Sequence, residues 1–113
     1  MNNLANSLYQ LYQQFLPIAK KCEIQLDLDL GKAANVQIEA SDELMQEIGD
    51  ELTSALTRSQ GTHLSVTASY NHIKLHDPDT VLSPAICQAL TTDRVHVTSR
   101  VGFGTTITID LHK

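Results

Sequence analysis

The sequence has no tryptophan, and its three tyrosines and two phenylalanines make aromatics only 4% of 113 residues. Stacking platforms for nucleic-acid bases are therefore scarce. Eight Lys+Arg against 13 Asp+Glu leave a net charge of −5, the opposite of the basic face a general nucleic-acid binder needs. Apolar runs extend only a few residues, which excludes a transmembrane helix. No N-terminal basic–apolar–small pattern marks a secretory signal, so a cytoplasmic protein is expected. The two cysteines, Cys22 and Cys87, have no zinc-site spacing and read as reduced, buried thiols. Charged residues at 19% and apolar residues at 42% suit an ordered chain. The length fits one domain over 1–113, enough to bury roughly two-thirds of the extended chain's surface without a metal or disulfide.

What is present is periodicity. Over 2–22, Leu4, Leu8, Leu11, Phe15, Ile18 and Cys22 draw one helical stripe, with Tyr9, Tyr12 and Leu16 off it. Such a stripe serves either core packing or pairing with another helix. Pro17 is expected to kink this helix or end it near Leu16. Residues 23–30 alternate strictly, with Ile24, Leu26, Leu28 and Leu30 on one face, which is a half-buried strand. After a loop, Val36–Glu39 reads as a short second strand. Ser41 is placed to cap a helix over 42–59 with Asp42 and Glu43 in its first turn, and Gly61 reads as its stop. Residues 63–70 and 73–76 form a hairpin around a turn at Asn71-His72. Ser83-Pro84 opens a short helix ending near Thr91. Strands over 95–101 and 105–111 flank a Gly102-Phe103-Gly104 turn. The order α-β-β-α-β-β-α-β-β predicts an α+β, two-layer sandwich, with about three helices covering one face of a mixed, mostly antiparallel sheet.

The closing segment carries a more specific signal. Ser99, Gly102, Gly104 and the run from Thr105 to Leu111 fall in register with S-x-x-G-x-G-T-x-f-x-i-x-L, and Pro17, Ala19, Ile24, Leu26 and Leu28 match P-x-A-x-x-x-x-I-x-L-x-L. These segments resemble the ATP-binding catalytic domain of sensor histidine kinases, in the superfamily that includes gyrase and MutL. The resemblance spans essentially the whole chain and implies a reduced Bergerat-type fold.

The resemblance also shows where the chain departs from the family. The central-helix pattern L-x-Q-x-L-x-N-L-L-x-N-A is kept by Leu44, Gln46, Ile48, Leu52 and Ala55, but its asparagines fall on Asp50 and Ser54. In the family the second asparagine binds the Mg²⁺ that bridges the ATP phosphates, and a serine hydroxyl is a shorter, weaker ligand. The family's D-x-G-x-G places its adenine-binding aspartate on Asp77 and its glycines on Asp79 and Val81. Only Leu82 separates Val81 from Ser83-Pro84, which leaves no length for the lid and glycine-rich segment that hold phosphates in the family. Asp50, Ser54, Asp77, Asp79 and Thr105 are thus the candidate residues of a vestigial nucleotide pocket, with no catalytic or metal-ligating residue expected. Asp50, Asp77 and Asp79 without a metal would repel triphosphate.

Other chemistry has little support. His63, His72, His76, His96 and His112 read as surface residues, and His72 and His76 on one strand face stand roughly 13 Å apart, too far to share a metal. No G-x-S-x-G context supports a nucleophilic triad. Asp27 and Asp29 read as an edge-protecting pair rather than an acid/base pair. The expected function is a non-catalytic interaction or regulatory module in bacterial signalling, binding no cofactor. The alternative is weak residual binding or hydrolysis of Mg-ATP. The resemblance implies a kinase helical hairpin, a response regulator or a sigma-type factor as partner, with no nucleic acid or membrane. Leu4, Leu8, Tyr9, Leu11, Tyr12 and Phe15 of the first helix are the candidate partner or homodimer surface.

Overall fold

In a computed structural model, which describes residues 3–31 and 38–111, the chain forms helices α1 (Leu4–Lys21), α2 (Asp42–Arg58) and α3 (Pro84–Leu90) and strands β1 (Gln25–Asp29), β2 (His63–Ala68), β3 (His72–Asp77), β4 (Val95–Arg100) and β5 (Gly104–Asp110). The strands form one sheet in the order β1-β2-β3-β5-β4. β1 pairs parallel with β2, and the other neighbours are antiparallel.

Alternation decides the layers. Leu28, Val66, Leu75, Ile107 and Val97 lie opposite one another across all five strands, and Ala68, Ile73, Ile109 and Val95 form a second such row. These side chains join Leu44, Ile48, Leu52 and Leu56 of α2 and Leu4 and Leu8 of α1 in one core. A fully buried Leu or Ile contributes about 1.5–3 kcal/mol relative to exposure, so these rows hold the layers together. The other sheet face carries His63, His72, His76 and His96, with Asp27 and Asp29 exposed at the β1 edge. His76 Nδ1 lies 3.0 Å from Thr106 Oγ1 on that face. The β4 edge is partly covered by its own flank: Thr91 Oγ1 accepts from Val97 N–H at 3.3 Å, and Thr92 N–H donates to the Val95 carbonyl at 2.8 Å. That arrangement occupies backbone groups that would otherwise template another strand.

Several local expectations are corrected. α1 runs through Pro17 to Lys21. The carbonyl that Pro17 leaves without a donor belongs to Gln13, and both residues are exposed, where such a loss costs least. The stripe does not stay buried along the helix: Ile18 and Cys22 are exposed and Ala19 takes the inward position. Cys87 is half-buried, so neither thiol is a core residue. The first strand starts at Gln25, two residues later than alternation suggests, because the helix closes first. Ile24 N–H donates to the Ala19 carbonyl and Glu23 N–H to the Lys20 carbonyl, the paired bonds of a Schellman cap. Of the short second strand, Val36 and Gln37 lie outside the described residues, and Glu39 makes an isolated antiparallel bridge to Asn3. β2 ends at Ala68, leaving Tyr70 exposed in a turn where the Ser69 hydroxyl accepts from His72 N–H, so β3 begins at His72.

The Schellman cap puts Glu23 at φ 59°, where glycine is the usual residue. A left-handed conformation costs a side-chain-bearing residue about 1–2 kcal/mol. Glu23→Gly is therefore expected to raise the unfolding free energy by about 1 kcal/mol, read as a higher urea midpoint at unchanged slope. An unchanged or lower midpoint would show that the cap is not strained.

Candidate functional site

The apolar rows of the sheet end in a polar one. Two residues beyond Leu75, Ile107 and Val97, on the same inward face, stand Asp77, Thr105 and Ser99, also opposite one another. Asp77 is 4% exposed and Thr105 is buried. Buried polar groups must find partners, and these find them in the segment that follows β3.

Thr80 Oγ donates to Asp77 Oδ2 at 2.7 Å, and Asp79 N–H donates to Asp77 Oδ1 at 3.1 Å. Thr80 Oγ also accepts from Gln60 N–H at 2.7 Å. Thr105 Oγ donates to the Thr80 carbonyl at 2.7 Å, which leaves Ser99 Oγ to donate to Thr105 Oγ across 2.8 Å. Leu82 N–H donates to Ser99 Oγ at 2.9 Å. Each hydroxyl thus donates once and accepts once, and among the described residues no buried side-chain polar atom lacks a partner. The result is a strap, residues 79–82, tied across the end of the sheet.

Two glycines make room for it. A Cβ on Gly104 would lie 2.6 Å from Pro78 Cα, and Gly104 also has φ 91°. A Cβ on Gly61 would lie 2.6 Å from Asp79 Oδ2. Gly61 does not have the positive φ of a helix stop; its place in the sequence is explained by the approach of Asp79.

Beneath the strap lies a cavity lined by Ser54, Ala55 and Arg58 of α2, by Asp77, Thr80 and Thr105, and by core leucines and Ile107. About 20 Å³ of it is open to water centres, room for about one water. Small-molecule sites run to roughly 300 Å³ or more. Among the described residues no group of three or more His, Cys, Asp and Glu has the arrangement to hold a metal ion. The structure therefore brings together Ser54, Asp77 and Thr105 of the five expected pocket residues. Asp50 is exposed on α2, accepting from Gln46 Nε2 at 3.0 Å, and Asp79 is exposed against Gly61. Thr80 and Gln60 escape sequence reading, although a threonine three residues after an aspartate at a strand end is a recognisable turn signal.

Of the expected partner surface on α1, Leu4 and Leu8 are 1% and 2% exposed and belong to the core. Leu11, Tyr12 and Phe15 are half-buried against it, and Tyr9 is exposed, 6.4 Å from the Tyr12 ring.

One α2 side chain has a perturbed acidity. Glu51 is raised from 4.5 by burial first and then by Glu47, with Arg58 opposing and Asp50 adding slightly. Glu47 itself pairs with Arg94 at 3.4 Å.

With this geometry in place, the chain's likeness to solved structures is specific. It matches the catalytic domain of histidine kinase ThkA with a TM-score of 0.71 at 10% identity, over 96% of this chain and 91% of that one. It matches the cytoplasmic segment of histidine kinase QseC at 0.66 and 17% identity, over 96% and 74%. It matches histidine kinase AdeS of Acinetobacter baumannii at 0.65 and 15% identity, over 98% of this chain and 66% of that one. No protein-family model and no curated protein matches the sequence. The fold is that of the histidine kinase ATPase domain.

Two predictions follow from the site. Thr105→Val removes the donor to Thr80 and the acceptor for Ser99, and is expected to cost about 1–3 kcal/mol in chemical denaturation, whereas Thr105→Ser, which keeps both bonds, should cost much less. Equal costs would place the loss in packing instead. The raised acidity of Glu51 means that the fold favours its protonated form. Its stabilising contribution is full below pH 4.5 and is lost as pH rises through the folded-state value. Glu51→Gln is therefore expected to raise Tm at pH 7 and to flatten the decline of Tm with pH above 4.5, measured by calorimetry.

Proposed function

We propose that this domain is a protein-interaction or regulatory module in bacterial signal transduction that does not transfer phosphate. The observation that carries the reading is the strap: both oxygens of Asp77 accept bonds from it, and the space below is about 20 Å³. Phosphoryl transfer rests on positioning and charge stabilisation, and a cavity of that size offers neither to a triphosphate. The likeness to kinase catalytic domains supports a place in signalling. ThkA has been solved in complex with the response regulator protein TrrA, a structure matched at TM-score 0.58 and 13% identity, of which this chain covers 40%. A response regulator is accordingly the first partner class, followed by a kinase helical hairpin or a sigma-type factor. Tyr9, with the half-buried Leu11, Tyr12 and Phe15, is the accessible part of α1 for a partner or for a homodimer. Among the described residues no helix is long and apolar enough to cross a membrane, and we place the domain in the cytoplasm.

A second reading, residual nucleotide binding, has one observation in its favour: Ser54, Asp77 and Thr105 line a common cavity. Isothermal titration separates the two. The interaction-module reading expects no saturable heat with Mg-ATP up to millimolar concentration. Saturable binding at micromolar ATP, lost in an Asp77→Asn variant that still unfolds cooperatively, would overturn it.

A further inference from the structure

The two edges of the sheet differ. At β4 the Val95 carbonyl and the Val97 N–H are taken by Thr92 and Thr91. Among the described residues β1 pairs only with β2. Gln25 N–H donates to the Thr62 carbonyl at 2.7 Å on the β2 side. Alternation then turns the N–H and C=O of Leu26 and Leu28 the other way, in the plane of the sheet, while their side chains face the core. Among the described residues no hydrogen bond reaches these four groups. Backbone groups so placed are completed by a further strand.

The same edge has an apolar wall. Tyr9, Tyr12 and Leu16 share one flank of α1. Tyr12 lies against Leu26 and Leu28, and Leu16, 38% exposed, faces Ile24 and Leu26 across an open groove of about 430 Å³. Lys20 and Glu23 also line this groove, and their charges offset each other. Lys21 falls off the flank. The outer face of β1 is acidic. Asp27 and Asp29 are exposed there and form no ion pair among the described residues: Asp27 accepts from Gln25 Nε2, and Asp29 from Gly31 N–H. On that face His63 stands opposite Gln25, and Lys74 is two strands from Asp29 with Thr67 between them.

A second copy does not suit this edge. Two β1 edges joined about a two-fold axis normal to the sheet pair antiparallel. Bonding through Leu26 and Leu28 then sets Asp29 opposite Glu23, Asp27 opposite Asp27, or Asp27 opposite Asp29, according to register. Like charges directly opposite are destabilising. The carboxylates exposed on α2 belong to a helix and supply no strand. We infer that the β1 edge adds an extended segment of another protein in which apolar residues alternate with Lys or Arg. Its apolar residues enter the groove beside Leu16, and its cations stand opposite Asp27 and Asp29. The two carboxylates thus reject copies of their own edge and select a basic strand. This deepens the interaction-module reading and rests on it.

The test uses the full chain, ¹⁵N-labelled, titrated with a synthetic peptide of alternating valine and lysine, with its valine–glutamate counterpart, and with the lysine peptide N-methylated throughout. The lysine peptide is expected to shift the amides of residues 16, 20 and 24–29 and to slow hydrogen exchange at Leu26 and Leu28 about tenfold or more. N-methylation removes the pairing donors and should weaken binding about tenfold or more. Asp27→Asn/Asp29→Asn, which keeps both local acceptors, should narrow the preference for lysine over glutamate. No shift with any peptide, shifts confined to other elements, or equal binding of the N-methylated peptide would overturn strand addition while leaving the module reading intact. Equal binding of the lysine and glutamate peptides would overturn the charge selection. A concentration-dependent dimer in light scattering that protects Leu26 and Leu28 would replace the foreign strand by a second copy. Saturable Mg-ATP binding is the separate result that would remove the module reading itself.

Discussion

A carboxylate buried at the end of an apolar sheet face governs the rest of this domain. Asp77 occupies the next inward position after Ile73 and Leu75, so alternation alone carries it beneath the surface. An ionised group there is costly unless hydrogen bonds replace its water. Thr80 and Asp79 supply those bonds from the chain that follows, and that choice fixes the path of residues 79–82. Once the strap lies across the sheet, Thr105 and Ser99 are covered as well, and their hydroxyls pass their bonds on to Thr80 and Leu82. The network is closed, with backbone donors at Gln60 and Leu82 as its outer ends. A partly satisfied version would be worse than an apolar one, so the strap is stable as a whole or not at all.

The closure reaches into neighbouring elements. Gln60 lies just beyond α2, so its bond to Thr80 fixes the end of that helix relative to β3. Gly61 and Gly104 stand where Asp79 and the Asp77-Pro78 backbone approach most closely. The two residues thus belong to different elements and serve one constraint. α3 begins directly after the strap and has no buried residue, so its position depends on the Leu82–Ser99 anchor and on the partial burial of Cys87 and Leu90.

Much of this was legible in the sequence, and the rest was hidden for identifiable reasons. Period-2 and period-3.6 patterns locate the strands of the described sheet and helices α1 and α2, because one face of each is packed on the same core, and the Ser83-Pro84 start locates α3, which has no buried residue. Boundaries fail where a local bond outranks periodicity, as at Glu23, where the Schellman cap takes two residues from the strand, and at Pro17, which α1 carries on its exposed side without ending. The candidate site is half legible. Asp77 and Thr105 follow from their motif positions, and Ser54 from its place on α2. Asp50 and Asp79 share the motif logic but not the location, since helix phase and the turn of the strap leave them in solvent. Gln60 is invisible to motif reading because its bond to Thr80 joins residues 20 apart, whereas the bond from Thr80 to Asp77 spans three residues and belongs to a readable turn. On α1, a single apolar stripe contains both core and surface residues, and periodicity cannot divide Leu4 and Leu8 from Tyr9.

The small cavity and the exposed Val81 are consequences of one arrangement. In the strap, Thr80 turns its hydroxyl to Asp77 and Leu82 sends its side chain toward the cavity, so Val81 between them is left to solvent. The short path from Asp77 to Ser83 leaves no chain to fold back over Val81, and beside it Gly102 and Gly104 supply the positive φ that the hairpin turn requires. Residues that close the interior therefore set the exterior, and the surface so produced is fixed before any partner arrives. A longer, flexible segment at this place would have to be ordered on binding, at roughly 1–2 kcal/mol for each residue's backbone. The strap has already met that cost in folding.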